Sequence, residues 1–281
     1  MDMTELLGVD LSEYQRGISF ARLIADGARF VILRGGDGGY NDKCFGSFYD
    51  QAKAHGLPIG AYWFSRALNA NQAEQEAIQF YNTCLKGRQF ELPVYMDIEC
   101  KAQQNLSTAA LTDVVKVWTS TLKRLGYCVG VYSTSYWLNN EVDRAALGDV
   151  ELWVAQWSSS QPTVPHGMWQ FGGETNYLRD KHMAGQVVDQ NYMYKDYPAI
   201  IKAAGQNGFI KEEEINMSRD ELDKIIDARI KAALEGEGSK PSGWAEQELK
   251  EAVAAGITDG TRPKGYATRE EVAAMVLRGK K

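Results

Sequence analysis

The 281-residue sequence has no run of 18 consecutive apolar residues, so it predicts no transmembrane helix. Its first residues lack a basic stretch followed by an apolar one, and we therefore expect no secretory signal peptide. The cysteines are few and widely spaced, without a CxxC pair: Cys44, Cys84, Cys100 and Cys128. This pattern favours reduced, mostly buried thiols over a disulfide framework.

Signatures of several common chemistries are also missing. The three histidines have no metal-ligand spacing and there is no HExxH motif, so no metal site is expected. GxSxG, Walker and helix-opening GxGxxG motifs are absent, and the sequence predicts no cofactor. A net charge of −6 argues against a nucleic-acid-binding protein.

Residues 1–208 do contain an alternation of short β-type and helical patterns. Helical patterns near 19–26, 45–55, 72–86, 107–125 and 136–147 separate the first six strand candidates, and little helix follows the sixth. An α/β fold is therefore predicted, with an irregular (β/α)8-like barrel as its architecture. The eight strand candidates are Leu7–Leu11, Phe30–Arg34, Ile59–Phe64, Val94–Glu99, Cys128–Ser133, Leu152–Trp157, Met168–Phe171 and Val187–Tyr192.

Two shorter regions follow the barrel pattern. Residues 209–239 are highly charged with apolar residues at a roughly helical period, which predicts a charged helical linker. Residues 240–281 contain two further helical patterns and predict a small C-terminal helical domain.

The segment PVYMDIEC, residues 93–100, carries the strongest chemical signal. On a strand, Asp97 and Glu99 share one face with Tyr95, and that face points to the barrel axis. Carboxylates at the carboxyl end of a barrel strand lie where barrel enzymes hold their catalytic groups. Crowding of like charges should raise one pKa and pair a neutral acid with an ionised base. The alternative is two solvated carboxylates at a strand end.

Two further acids occupy equivalent places. Asp10 ends the first predicted strand and Asp189 lies in the eighth. Because the first and last strands of a closed barrel are neighbours, we expect both carboxylates at the same mouth as Asp97 and Glu99.

Aromatic and amide side chains are also predicted at the barrel mouth. Tyr62, Tyr132, Gln156 and Trp157 are the candidates for substrate binding, since flat rings stack on sugars and amides bond to their substituents. The alternative for each is packing in the barrel core.

These motifs resemble glycoside hydrolase family 25, the Chalaropsis-type lysozymes found in phage endolysins and bacterial autolysins. The resemblance implies that Glu99 is the general acid and that Asp97, Asp10 and Asp189 complete the acidic site. It also implies hydrolysis of the β-1,4 bond between N-acetylmuramic acid and N-acetylglucosamine in bacterial peptidoglycan. The matching stretches are GVDLSEYQ (8–15), AHGLPIGAYWFS (54–65), PVYMDIE (93–99), LGYCVGVYS (125–133), LWVAQW (152–157), MWQF (168–171) and VDQNY (188–192).

The spacing of Asp97 and Glu99 resembles that of enzymes that use the substrate's own N-acetyl group as nucleophile. In that scheme Asp97 orients the acetamido group while Glu99 protonates the leaving oxygen. Direct inversion through a water molecule held by an acid stays open, because the sequence does not give the carboxyl separations.

A chitinase-like glycosidase and a non-catalytic carbohydrate-binding barrel are the alternatives to a muramidase.

Residues 244–278 resemble a surface-layer-homology module in one short copy, so this piece either binds secondary wall polymers, mediates oligomerisation or forms a helical cap. Together with the expected lack of a signal peptide, the resemblance suggests a phage lysin held in the host cytoplasm until holin-type release to the cell wall.

We expect the full-length protein to self-associate through residues 211–281. The 211–236 segment is too short and too charged to be stable as a lone helix, so its apolar residues need a partner. Association would also raise avidity for the wall. Light scattering at micromolar concentration should show an oligomer for the full chain and a monomer for a chain ending at Gly208. A monomeric full chain would contradict the expectation.

Overall fold

The computed structural model describes residues 5–211, 223–224, 226–228, 230, 240–261, 267 and 269–279. The chain divides into two compact units, Met1–Glu212 and Glu213–Lys281. Most of the predicted linker, including residues 212–222 and 231–239, lies outside the described residues, so the linker stays a prediction.

Among the described residues, eight strands close a barrel in the spatial order β1-β2-β4-β5-β6-β7-β8-β11 and back to β1. The short β3 extends the sheet by pairing with β2, and β9 pairs with β10 in a separate hairpin. The predicted α/β barrel is thus confirmed. The strands are β1 (Leu6–Leu11), β2 (Val31–Asp37), β3 (Tyr40–Asn41), β4 (Ile59–Phe64), β5 (Val94–Asp97), β6 (Val129–Thr134), β7 (Glu151–Ala155), β8 (Met168–Gly172), β9 (His182–Met183), β10 (Gln186–Val187) and β11 (Asp189–Met193).

Helices follow most of the early strands, and polar caps begin several of them. Side chains of Ser19, Asn69, Ser107 and Thr134 each accept a bond from a backbone N–H in the first turn. The helices of this unit are α1 (Phe20–Ala25), α2 (Phe45–Ala54), α3 (Ala70–Phe80) with a π-helical extension (Tyr81–Leu85), α4 (Thr108–Arg124), α5 (Ser135–Asn140) and α6 (Tyr197–Ala204). Of these, α6 was not predicted from the sequence.

The last barrel strand runs against the others. Strands β1, β2, β4, β5, β6, β7 and β8 pair in parallel, whereas β11 is antiparallel to both β1 and β8. The amino end of β11 therefore lies at the same mouth as the carboxyl ends of its neighbours. Asp189, its first residue, reaches the mouth for this reason.

Apolar side chains pack on both surfaces of the barrel wall. Val94, Met96 and Ile98 belong to the cluster between the sheet and the outer helices, while Tyr95 belongs to the cluster inside the barrel. This alternation confirms the facing predicted for the PVYMDIE segment. The cysteines are free thiols, three buried and Cys128 partly buried, as predicted.

In the second unit, the described residues include α7 (Glu246–Ala254) and α8 (Arg269–Arg278). Neither helix has a buried residue among those described, and Val253, Val272, Val276 and Leu277 are exposed. The small helical C-terminal piece is therefore present. Within the described parts of both units, no helix is both long and apolar enough to cross a membrane.

Asn207 ties the end of the first unit to the amino ends of β5 and β6. Its side chain accepts a bond from Cys128 N at 2.8 Å and donates to the carbonyls of Phe90 and Leu92 at 3.1 and 2.8 Å. The residue is fully buried and has a φ of 55°. A left-handed backbone with a bonded side chain suits asparagine better than most residues.

We expect Asn207→Ala to lower the free energy of unfolding by about 3 kcal/mol, because it leaves one buried N–H and two buried carbonyls without their partner. Urea denaturation of the full chain measures this change. Asn207→Gly tolerates the left-handed backbone but also lacks the bonds, so it should recover no more than about 1 kcal/mol. Full recovery in the glycine variant would show that backbone strain, and not the lost bonds, is responsible.

Candidate active site

An open cleft of about 390 Å³ lies at the mouth of the barrel. Its walls come from β1, β2, β4, β5, β6, β7, β8 and β11 and from the loops that follow several of them. All four sequence-predicted acids line it. The lining residues are Asp10, Ser12, Tyr14, Gln15, Arg34, Asp37, Tyr62, Phe64, Arg66, Asp97, Glu99, Tyr132, Trp153, Gln170 and Asp189.

Asp97 and Glu99 share this cleft but differ in environment. Strand β5 ends at Asp97, two residues before the predicted end, so Glu99 stands on the loop just beyond it. Asp97 is 3% exposed, and its Oδ1 has no hydrogen-bond partner among the described residues. Glu99 is exposed to solvent through the open side of the cleft.

Asp10 and Asp189 are direct neighbours across the β1–β11 pair. The Asp10 carboxylate is buried and accepts bonds from the amides of Gln170 at 3.0 Å and Asn191 at 2.9 Å. Asp189 is partly exposed and packs beside Gly173, which has no side chain to obstruct it.

The protein raises the pKa of every one of these four carboxyl groups. Burial is the main cause for Asp97, and the charges of Glu99 and Asp10 add to it. The pKa of Glu99 is raised by desolvation and by Asp10. Burial raises the pKa of Asp10 to about 6 against the opposing effect of its two amide bonds. Burial and the charge of Asp10 raise the pKa of Asp189 to about 8.

The predicted substrate-binding residues divide into two groups. Tyr62 and Tyr132 line the cleft. Trp157 is 40% exposed beside Gly173 at the edge, and its Nε1 donates to Gln170 Oε1 at 3.0 Å.

Gln156, like Trp157, is not part of the cleft lining, and its side chain bonds to neighbouring loop residues instead. It accepts a bond from Ser135 Oγ and donates to the carbonyl of Ser160. Strand β7 ends at Ala155, two residues before its predicted end, so residues 156 and 157 lie on the loop beyond the strand.

Several cleft residues were not identified from the sequence. Gln170 and Arg34 lie at the mouth on β8 and β2, and their only sequence signal is a polar residue within an apolar strand. Arg34 pairs with Asp42 at 2.8 Å and contributes a positive charge that opposes the rise in the pKa of Asp97. Asp37 and Arg66 form an ion pair on the same wall, which no local pattern indicates.

We expect Asp97→Asn to stabilise the protein near pH 7. The pKa of Asp97 is higher in the folded protein than in the unfolded chain, where an aspartate titrates near about 3.9, so wild-type stability falls as pH rises above that value. Asparagine removes this cost, and the melting temperature at neutral pH should rise by a few degrees. Near pH 3 the aspartate is neutral in both states and the difference should vanish. Calorimetry at both pH values tests this, and equal melting temperatures at pH 7 would contradict it.

Comparison with known proteins gives the relatives of this chain. The family model for glycosyl hydrolases family 25 matches residues 9–179, which include Asp10, Asp97 and Glu99. The chain is 27% identical over 158 residues to the autolytic lysozyme of Clostridium acetobutylicum, covering 56% of this chain and 47% of that protein. It is 27% identical over 182 residues to lysozyme M1 of Streptomyces globisporus, covering 60% and 62%.

The chain thus spans about half to three fifths of the length of these two curated relatives. Its fold is shared with the crystal structure of the CTP1L endolysin, with a TM-score of 0.60, 22% identity and 70% of each chain covered. Because the family model matches more than half of the sequence, the chain belongs to glycosyl hydrolases family 25.

Proposed function

We propose that this protein is a peptidoglycan hydrolase, an N-acetylmuramidase that cleaves the β-1,4 bond between N-acetylmuramic acid and N-acetylglucosamine. The observation that carries the proposal is the pairing of Glu99, accessible and with a raised pKa, with the buried Asp97 in one open cleft. Glycoside hydrolysis needs such a neutral acid beside a second carboxyl group.

Glu99 is the general acid in this mechanism. Desolvation and the charge of Asp10 favour its protonated form, and its exposure allows it to reach a bound glycosidic oxygen. Proton donation to that oxygen converts the departing sugar into a neutral alcohol.

Asp97 acts on the other reacting group. It lines the cleft and is buried, so a substrate acetamido group or a water molecule held against it would be shielded from bulk solvent. Orientation of the acetamido group gives a substrate-assisted route with retention, and orientation of water gives inversion. Tyr62 and Tyr132 line the same space and are suited to contact the sugar rings.

The lysozyme names of the two curated relatives support peptidoglycan as the substrate. We further propose a phage lysin that stays in the host cytoplasm until holin-type release and then acts at the cell wall; an endolysin is one of the proteins that share this fold. In the second unit, the exposed apolar residues of α8 favour self-association, with wall-polymer binding as the other role.

Glu99→Gln should lower the rate of reducing-end release from purified Gram-positive cell walls by at least about 100-fold, because the amide is nearly isosteric but donates no acid proton. Circular dichroism should match the wild type, and the melting temperature near pH 7 should be no lower than that of the wild type, because the raised pKa of Glu99 costs the wild type stability at that pH. Activity within threefold of the wild type would remove Glu99 from the role.

Asp97→Asn serves as the comparison for Glu99→Gln. Since the charge of Asp97 matters most in the transition state, kcat should fall strongly while KM changes less. A change in KM alone would make Asp97 a substrate-binding residue.

The nature of the product separates a muramidase from a chitinase-like enzyme. Reduction of the products with borohydride, followed by acid hydrolysis, should yield the alcohol of muramic acid from the new reducing ends. Glucosamine alcohol in its place would identify cleavage of the other glycosidic bond and contradict the proposal.

A further inference from the structure

Asp10 is held by two amide groups that reach the same oxygen atom. Gln170 Nε2 donates to Asp10 Oδ2 at 3.0 Å, and Asn191 Nδ2 donates to it at 2.9 Å. All three residues are buried, with Gln170 2% exposed and Asn191 fully buried. Bulk water therefore has little access to these bonds.

Neither amide can reverse its orientation without losing a bond. Trp157 Nε1 donates to Gln170 Oε1 at 3.0 Å, and Tyr132 donates to the same atom at 2.9 Å. Trp153 Nε1 donates to Asn191 Oδ1 at 2.8 Å. Because an indole nitrogen can only donate, each amide oxygen must face its tryptophan and each NH2 group must face Asp10.

This arrangement favours the anionic form of Asp10. Oδ2 receives two N–H groups and has no room for a proton of its own, and neutralising the carboxyl group would weaken both bonds. In contrast, the side-chain carboxyl group of Asp189 receives no hydrogen bond from the described part of the chain. It also faces the charge of Asp10, which lies directly opposite it in the β1–β11 pair.

We infer that Gln170 is a positioning residue that, with Asn191, keeps Asp10 ionised, so that at neutral pH the proton of the Asp10–Asp189 pair is on Asp189. The first carboxyl group to ionise is then Asp10, and Asp189 ionises only against an existing negative charge. The raised pKa values of the two groups, about 6 and about 8, have the same order.

Other acids near the cleft act in the same direction on Asp189. Acids at the end of β5 and after β8 oppose a second negative charge at the pair, whereas the one arginine of β2 is already paired with Asp42. Glu174, after β8, acts on Asp189 through its charge. The titratable side chains that line the mouth on other elements are Tyr14 after β1, Arg34 and Asp37 on β2, Tyr62 on β4, Arg66 after β4, Asp97 and Glu99 at the end of β5, and Tyr132 on β6.

This division gives the two aspartates different uses. The anion of Asp10 can stabilise positive charge that develops on a sugar ring, and the neutral Asp189 can donate a hydrogen bond to a sugar oxygen. These uses rest on the muramidase activity proposed above, whereas the location of the proton does not.

Carboxyl titration followed by NMR tests the inference without any activity measurement. The full chain is labelled with 13C at the aspartate side-chain carboxyl carbons, and the signals are assigned with Asp10→Asn and Asp189→Asn. In the wild type, Asp10 should titrate at lower pH than Asp189. The reverse order would overturn the inference.

In each of these two variants, the titration midpoint of the remaining aspartate should shift. The two shifts should be unequal if Asp10 ionises before Asp189. Asp189→Asn should move the Asp10 midpoint by less than about 0.5 pH unit, because Asp189 is neutral when Asp10 titrates. Asp10→Asn should lower the Asp189 midpoint by about one pH unit or more, because it removes the opposing charge. Equal shifts, or the opposite asymmetry, would overturn the assignment of the proton.

Gln170→Met tests the positioning role. Loss of one N–H donor to the anion should raise the Asp10 midpoint by about one pH unit. Gln103→Met is the matched control, since Gln103 is also fully buried and donates to a backbone carbonyl, that of Ala67, without contacting Asp10. An unchanged Asp10 midpoint in a folded Gln170→Met variant, or an equal shift in the control, would show that Gln170 has no such role.

Inactivity toward cell walls combined with the expected titration would reject the proposed muramidase function and leave this inference intact. Activity combined with the reverse titration order would do the opposite. The two proposals therefore fail separately.

Discussion

The antiparallel pairing of β1 with β11 closes the barrel, and the candidate site depends on its register. That register sets Asp10 directly opposite Asp189, and the next pair along the strands sets Val9 opposite Gln190. A shift of one residue would turn the side chains of β11 to the other surface of the wall. Asn191 would then no longer point toward Asp10. The acidic cluster is therefore a product of backbone hydrogen bonding as much as of side-chain chemistry.

Aromatic packing below the acids explains how they are kept from water on the inner side. Trp153 lies inside the barrel with Tyr62, Tyr95 and Tyr132 around it, at ring-centroid distances of 5.8, 5.3 and 4.3 Å. These rings fill the barrel interior up to the cleft, which all of them except Tyr95 line, and the indole N–H of Trp153 donates to Asn191. The same side chain thus lowers the local polarity and orients an amide. Burial of this kind raises carboxyl pKa values and also costs stability, which is common where a protein performs chemistry.

Much of the fold and of the candidate site could be predicted from the sequence, because two of the sequence signals are local. The alternation of side chains in PVYMDIE gave the facing of Tyr95 and Asp97, and the βα pattern gave the barrel. Strand direction is not local, since an alternating pattern is the same for parallel and antiparallel strands, so the reversal of β11 was missed. The N-capping Asp196 and Pro198 in the first turn are signals for α6, but its apolar segment is too short to indicate a helix by periodicity alone. The bonds from Gln170 and Asn191 to Asp10 join residues far apart in sequence, and no spacing rule predicts them.

The connection from β8 to β11 is a segment in which the sequence of this barrel can vary. Residues 173–188 replace the usual helix with the small β9–β10 hairpin and lie between two strands that are both held in the sheet. Gly173 at its start adjoins Asp189, just past its end, so the segment leaves and re-enters the wall beside the acids. Insertions or exchanges within it would alter the rim of the cleft while both anchoring strands keep their pairing. This segment is therefore the natural place to recombine sequences between homologues when new substrate preferences are sought.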